Sequence, residues 1–230
     1  MTHDKAEIIE RFFSQTGPSY DAVVHYFTLG IDRRWKQRIL AALPPAPRRI
    51  LDLACGTGIL TFAIARAHPG CHVVGVDISR SYLDVAEAKA ARSDRVTFVH
   101  QPAEAFVSDL PFDAVTASYL PKYADLDRLI PQIAAMLVPG GVVILHDFTY
   151  PTHPLLQHLF HLYFKAIQII GGTIYPEWKE TLRELPEVIR TTTWVEESIA
   201  AMRRSNLCDI HVASLTLQGA ALITARRKIG

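Results

Sequence analysis

The stretch Ile50–Gly58, ILDLACGTG, ends an apolar run in a turn carrying glycines at 56 and 58. Glycine at those positions lets the backbone bend sharply and approach a ligand with no Cβ in the way. A helix expected to start near Gly58 would present free amides and the positive end of its dipole at the same point. Nineteen residues on, VVGVDIS places Asp77 at the end of a second apolar run. A carboxylate there can accept hydrogen bonds from the 2′- and 3′-hydroxyls of a ribose. A dinucleotide fingerprint would need a third glycine at 61, where Thr61 stands. The pattern favours an adenosine ligand without pyrophosphate over the rival reading, a nicotinamide-dependent oxidoreductase.

Such residues need a sheet to hold them. The chain runs RRILDLAC, a helix over about 59–67, CHVVGVDI, a helix over about 80–92, VTFVHQ, FDAVTASYL, a helix over about 125–137, and GVVILHDF. Near-continuous Val/Ile/Leu runs alternating with helices predict an α/β domain with a parallel sheet covered on both faces. Residues 5–43 read as two or three helices broken at TGPSY, and PPAP at 44–47 stops them. Residues 150–206 are a mainly helical insertion, expected to cap the C-terminal edge of the sheet, where open α/β sheets bind ligands. DIHVASLTL and AALITARR then form an antiparallel hairpin around Gln218 and Gly219. The expected organisation is one domain: helices in 1–45, a ligand-binding core in 46–149, a helical cap in 150–206 and the hairpin in 207–230.

With 230 residues, 49% of them hydrophobic, the chain can bury a sizeable core, and a formal charge of +1 gives no broad attraction for nucleic acid. Cys55, Cys71 and Cys208 are odd in number and widely spaced, which suits reduced thiols and a cytoplasmic location. MTHDKAEIIERFF lacks the basic start and apolar run of a secretory signal. The most apolar segment, PLLQHLFHLYFKAIQII, is interrupted by polar residues and falls short of the roughly 20 apolar residues of a membrane span.

LDLACGTG, VVGVDIS, FDAVTASY and LVPGGVVILHDF, in that order and at normal spacing, resemble the motifs of class I S-adenosylmethionine-dependent methyltransferases. The resemblance implies a Rossmann-like, mostly parallel seven-stranded sheet with its last strand antiparallel. It also implies that the loop from Ala54 through Gly56 and Gly58 holds the methionine part of S-adenosylmethionine, with Asp52 and Thr57 orienting it. Asp77 would grip the ribose and Ile78 lie under the adenine. Pro102, Ala103 and Glu104 would border the adenine, and Ser118 and Tyr119 would face the sulfonium. The family often has an aspartate where Pro102 stands, which leaves backbone groups or Glu104 to hold the adenine amino group.

Tyr20 opens YDAVVHYFTLGIDRRWKQRIL, which looks like the N-terminal motif of the ubiquinone/menaquinone-biosynthesis C-methyltransferases and implies a place for Tyr20 beside the cofactor. LRELPEVI and LTLQGAALITARRK resemble later parts of that family. The resemblance runs from about residue 10 to the C-terminus and implies carbon methylation of a hydroquinone ring bearing a prenyl tail. Val24-His25 replace the usual Asn-Asp pair, and Leu182 and Glu184 replace two usual tyrosines. Another phenolic ring, a heterocycle or a small metabolite methylated at oxygen or nitrogen is therefore an alternative acceptor. A non-catalytic cofactor-binding subunit is another reading.

A phenolic carbon needs its hydroxyl deprotonated by a group tuned near neutral pH. His25 is the first candidate, as the one histidine of the segment expected to close over the cofactor, and Asp147, ending the fifth strand, is the second. Lys122 and Arg183 stand where the family has basic residues and are candidates to hold an anionic acceptor. Over 155–170 the helix keeps Gln157, His161, Lys165 and Gln168 in a narrow polar strip and is otherwise apolar. Phe160 and Tyr163 on it could wall the acceptor site. The same apolar face could pack on the core, meet a subunit neighbour in a homodimer, or touch a membrane surface peripherally. His158 and His161 lie one turn apart without a third ligand, so no metal is expected.

Overall fold

The computed structural model describes residues 16–90 and 94–229, so the helix expected around Ile8 to Phe13 lies outside the described residues. Seven strands form one sheet: β1 (Arg49–Leu53), β2 (His72–Asp77), β3 (Val96–His100), β4 (Phe112–Ser118), β5 (Leu137–Phe148), β6 (Leu207–Leu215) and β7 (Ala220–Arg227). Their order is β3-β2-β1-β4-β5-β7-β6, with β7 antiparallel to both neighbours and the remaining pairs parallel. This is the expected sheet. The order reverses between β1 and β4, so the loops leaving those two strands splay apart and open a crevice at the C-terminal edge.

Helices cover both faces because β1, β4 and β5 are apolar on both sides. On one face Leu51, Val115 and Leu145 pack against Leu129 and Ile133 of the helix Leu126–Met136 and against Trp194 and Met202 of the helix Trp194–Arg204. In chain order these are α5 and α8. On the other face Ile50, Ala114 and Ile144 meet Trp35 and Ile39 of α2 (Ile31–Ala42) and Leu60 and Ile64 of α3 (Ile59–Ala67). α4 (Arg80–Ala90) packs on β2 and β3.

Three elements rise above the crevice: α1 (Tyr20–Phe27), α6 (Pro154–Ile174) and α7 (Lys179–Thr191). They share a small core of Val23, Ile167, Trp178 and Leu182. The insertion thus divides. α6 and α7 sit with α1, whereas α8 returns to the sheet, where the Trp194 indole is buried and donates to the carbonyl of Phe148 at 2.7 Å. α6 extends past the expected 155–170, capped by His153 Nδ1, which accepts from Leu155 N at 3.2 Å. Its outward face exposes Leu155, Leu159, Leu162, Ile169, Ile170 and Ile174. Among the described residues no helix is long and apolar enough to cross a membrane.

Candidate active site

The loop after β1 turns through three left-handed residues, Ala54 (φ 51°), Gly56 (φ 57°) and Gly58 (φ 83°). A Cβ on Gly58 would come within 2.5 Å of the Phe62 ring, and one on Gly56 would meet Tyr82 at 3.5 Å and Tyr20 at 3.8 Å. Among the described residues no side chain caps α3, so its first amides face the loop. Asp77, buried at the end of β2, accepts from Gly56 N at 2.7 Å with Oδ2 and from Ser79 N at 2.8 Å with Oδ1. Each oxygen keeps a lone pair for a further donor. Burial raises its pKa, and the bonds from Ser79 and Gly56 oppose that rise. Asp52 lies one layer deeper. Thr61 and Thr116 donate to its two oxygens at 2.7 and 2.8 Å, yet burial dominates and lifts its pKa to about 6.

α1 is pinned over this loop. The buried Thr57 hydroxyl donates to Asp21, which pairs with Lys89 at 2.6 Å, and Lys89 also donates to the Thr57 carbonyl at 3.0 Å. Tyr20 thereby lies between Tyr82 and Trp178, with ring centroids at 4.9 and 6.0 Å. The glycine loop, Asp77 and these rings form a cradle that presents the groups a nucleoside ligand needs: acceptor oxygens for a sugar, amides for a carboxylate, and flat apolar surface for a base.

Next to the cradle, under α1, α6 and α7, is an apolar cavity of about 110 Å³ whose lining includes Tyr20, Phe27, Tyr119, Lys122, Tyr123 and Leu182. A second cavity of about 230 Å³ shares Thr28, Phe148, Tyr163 and Phe164 with it and reaches the surface among Leu29, Leu159 and Leu217. The polar groups at the base of the first are tightly paired. Lys122 Nζ donates to Asp147 Oδ1 at 2.9 Å and to the Tyr119 carbonyl at 2.8 Å, and lies 4.3 Å over the Tyr123 ring. Burial lowers the Lys122 pKa and Asp147 opposes that.

Residues 1–226 match the ubiE/COQ5 methyltransferase family. The chain belongs to that family. It is accordingly an S-adenosylmethionine-dependent methyltransferase, as the ordered motifs implied. A demethylmenaquinone methyltransferase of Thermus thermophilus is 33% identical over 215 residues, covering 91% of this chain and 97% of the relative. A ubiquinone/menaquinone biosynthesis C-methyltransferase UbiE of Geotalea daltonii is 32% identical over 74% of this chain and 75% of its own length. Among solved structures, the N-methyltransferase NodS of Bradyrhizobium japonicum with S-adenosyl-L-homocysteine superposes with a TM-score of 0.64 at 15% identity, covering 97% of this chain and 98% of that one. A geranyl diphosphate C-methyltransferase of Streptomyces coelicolor gives 0.63 at 16% identity, covering 85% and 79%. At such identities the structural likenesses speak to the fold.

In this ubiE/COQ5 family member the residues anticipated from sequence fall into three groups. Tyr20, Ala54, Gly56, Thr57, Gly58 and Asp77 gather at the cradle, with Asp52 beneath it, Ser118 buried at the end of β4 and Tyr119, the next residue, lining the first cavity. Ile78 is exposed and its carbonyl is hydrogen-bonded to His100 Nε2 at 2.8 Å. Pro102 caps a short 3-10 turn, Ala103 to Ala105, in which Ala103 is buried and Glu104 accepts from Asp125 N at 3.3 Å. Lys122 and Tyr163 line the first cavity, and Phe160 with Tyr163 the second.

Three expectations are corrected. His25 is exposed on the outer side of α1, edge-on to Tyr26, and lines neither cavity, because Val23 and Phe27 take the inward positions of that short helix. It is not placed to act as a base. Arg183 is likewise exposed, pairs with Glu184 at 3.2 Å and lies outside both cavities. Asp147 is fully buried and spends its oxygens on Lys122 Nζ, Lys122 N and Phe148 N, so it anchors Lys122 and has no access to an acceptor. Sequence reasoning missed Tyr82, Phe148, Asp32 and Lys36. Only the last two left a trace, a carboxylate and an amine four apart in the N-terminal motif.

Proposed function

We propose that this protein methylates a ring carbon of a quinol that carries an apolar tail. The observation carrying the reading is the two-part apolar cavity that meets the cradle at Tyr20 and holds Lys122 and Tyr119 at its base. The names of the relatives, demethylmenaquinone methyltransferase and ubiquinone/menaquinone biosynthesis C-methyltransferase, support a quinone-class acceptor and carbon as the methylated atom.

S-adenosylmethionine, when bound, supplies a methyl group already made electrophilic by the sulfonium. Asp77 would hold its ribose, the Ala54–Gly58 loop its methionine part, and Tyr20 and Tyr82 would lie against it. The remaining task is placement and exclusion of water. The aromatic walls of the first cavity, Phe27, Tyr123 and Phe148, hold a ring and keep it dry, while the Lys122 ammonium faces its oxygen. The second cavity takes the tail and releases it between Leu29, Leu159 and Leu217.

That mouth continues into the exposed apolar face of α6, a helix without a single acidic residue, whose flank carries exposed His158, His161 and Lys165. An apolar face free of carboxylates and flanked by the basic side chain of Lys165 suits an anionic lipid surface, so we place the enzyme peripherally on a membrane, in the reducing cytoplasm. The free thiols Cys55, Cys71 and Cys208 suit that compartment.

The test combines labelled S-adenosylmethionine with reduced 1,4-naphthoquinone bearing a prenyl tail, delivered in vesicles with and without phosphatidylglycerol. The expected result is label on a ring carbon, fastest on anionic vesicles, with Leu162→Glu losing the vesicle enhancement alone. Label on oxygen, or none on any quinol, overturns the acceptor reading. A dimer that dissociates in Leu162→Glu, with no vesicle binding, overturns the membrane placement.

A further inference from the structure

From Tyr119 at the acceptor cavity a chain of polar side chains runs into the protein, and none of them has yet been given a chemical step. Asp32, near the start of α2, is 6% exposed and accepts at Oδ1 from Lys36 Nζ at 2.8 Å and from Tyr119 Oη at 2.6 Å. Lys36 Nζ also donates to Ser118 Oγ at 3.1 Å, and Ser118 Oγ lies 2.9 Å from His146 Nδ1. His146 is fully buried, and burial first, then Lys36 and Lys122, push its pKa well below the ordinary imidazole value. It stays neutral, so the Ser118 link adds no competing charge to the Asp32–Lys36 pair.

Tyr119 is the member that reaches the cavity. It adopts φ 68°, a left-handed conformation unfavourable for a residue with a side chain. It is held there by its backbone N–H, which donates a hydrogen bond to the His146 carbonyl at 2.8 Å, by stacking on Phe148 at 5.0 Å, and by Lys36 Nζ 4.5 Å over its ring. An unfavourable backbone, fixed from several sides at a cavity wall, marks a placed functional group. Its hydroxyl gives its one hydrogen to Asp32 and keeps lone pairs that can accept from a ligand.

We propose that Tyr119 and Asp32 form a two-step proton relay that deprotonates the acceptor hydroxyl, with Tyr119 the catalytic residue and Lys36 a positioning residue for Asp32. The inference rests on the quinol reading of the same cavity. The acceptor O–H donates its proton to Tyr119 Oη as the Tyr119 proton passes to Asp32 Oδ1. The freed O–H pair moves into the ring, a ring pair forms the new bond to the methyl carbon, and the S–C pair stays on sulfur as a thioether. The methylated carbon then loses its own hydrogen as a proton, which passes out to bulk solvent while the C–H pair restores the aromatic ring, and the proton on Asp32 returns through Tyr119 to the oxygen. One proton leaves overall, and Tyr119 and Asp32 end as they began. Burial, then the charge of Asp32, raises the Tyr119 pKa well above the phenol value, so Tyr119 keeps its proton at rest and serves as conduit for Asp32.

The charged and titratable groups around Asp32 are Lys36 on its own helix, Tyr119 from the end of β4, Tyr20 from α1, His146 from β5 through Ser118, and beyond them the Lys122–Asp147 pair. Tyr119→Phe removes the relay oxygen and keeps the ring packing. With 1,4-naphthalenediol as acceptor it should lower kcat by roughly 10²–10⁴-fold, the span of general base catalysis. KM and S-adenosylhomocysteine affinity should hold within about threefold. Its residual rate should rise about tenfold per pH unit, because hydroxide must replace the relay, while the wild type reaches a plateau. A second readout needs no turnover: bound 4-nitrophenol should show phenolate absorption at neutral pH in the wild type and lose it in Tyr119→Phe and Asp32→Asn. A Tyr119→Phe enzyme with near-normal kcat and the wild-type pH profile, or with unchanged nitrophenolate absorption, overturns the relay. If the wild type methylates no quinol the acceptor reading fails, and the nitrophenol spectra still decide on the relay.

Discussion

Asp77 offers the sharpest test of the cradle, because its two oxygens already have assigned partners. Oδ2 takes the Gly56 amide and Oδ1 the Ser79 amide, and the side chain is 7% exposed. Asp77→Asn preserves shape but turns one oxygen into an amide that cannot accept, so one buried N–H and one ribose hydroxyl lose their partner. A hydrogen bond to a charged group contributes about 1.5–3 kcal/mol, which corresponds to roughly 10- to 150-fold weaker S-adenosylhomocysteine binding. The orphaned amide should remove a further 1–3 kcal/mol, about the same scale, from the stability of the free protein. Titration calorimetry gives the first quantity and denaturant unfolding the second. A pH series separates charge from shape. The folded Asp77 pKa is raised by burial, so wild-type affinity should fall as pH drops through that raised value and the carboxylate gains a proton, whereas Asp77→Asn should bind with little pH dependence. An affinity loss below threefold in Asp77→Asn, or a parallel pH dependence in the two proteins, would refute the role given to this carboxylate.

Removing one member of the Lys122–Asp147 pair should be expensive, since both side chains are almost wholly buried: Lys122→Met is expected to cost about 3–5 kcal/mol in denaturant unfolding, and adding Asp147→Asn should recover part of it. Strictly additive losses in that double-mutant cycle would count against the pair. Asp52 should make stability depend on pH. Its pKa rises from 3.8 to about 6 on folding, chiefly through burial, so the folded state holds the proton more tightly and stability is lost as pH rises between those two values. The loss amounts to about 3 kcal/mol at 1.36 kcal/mol per pKa unit. Asp52→Asn should lack this slope, and equal slopes in the two proteins would refute it.

The parts of the molecule governed by local pattern were legible from sequence. Apolar runs marked the strands of the parallel core, and glycines at 56 and 58 with Asp77 marked the cradle, because a tight turn and a carboxylate at a strand end are local demands. What could not be read is which way a side chain faces when only tertiary packing decides it. His25 and Val24 are neighbours on α1, yet Val24 lines the cavity and His25 meets solvent, since Val23 and Phe27 fix the rotation of the helix. Trp194 belongs to the same helical insertion as Phe160 and Trp178, but its indole finds the Phe148 carbonyl, and α8 therefore lies on the sheet. Asp32 and Lys36 carry the spacing of an ordinary solvated helix pair. Only the approach of Tyr119 and Ser118, more than eighty residues away, buries them and turns them toward the site.

The apolar cavity and its two buried ion pairs follow from one electrostatic requirement. Methyl transfer from a sulfonium to a phenolate joins opposite charges into neutral products, so a water-poor site favours it, provided the phenolate can form there at all. An isolated carboxylate or ammonium in that wall would be strongly penalised. Pairing Asp32 with Lys36 and Asp147 with Lys122 leaves the wall neutral as a whole, while placing a cation within 4.5 Å of the Tyr119 ring and another, at the base of the cavity, 4.3 Å from the Tyr123 ring. When a proton moves from the acceptor to Asp32, negative charge passes from the partner of Lys36 to the acceptor oxygen in the cavity lined by Lys122, and the net charge of the site is unchanged. A neutral base such as an imidazole in the same cavity would have to create charge, as a pair of opposite ions, in a low-dielectric space. The paired arrangement only relocates it, which is why the geometry favours a relay through Tyr119 over an exposed imidazole such as His25.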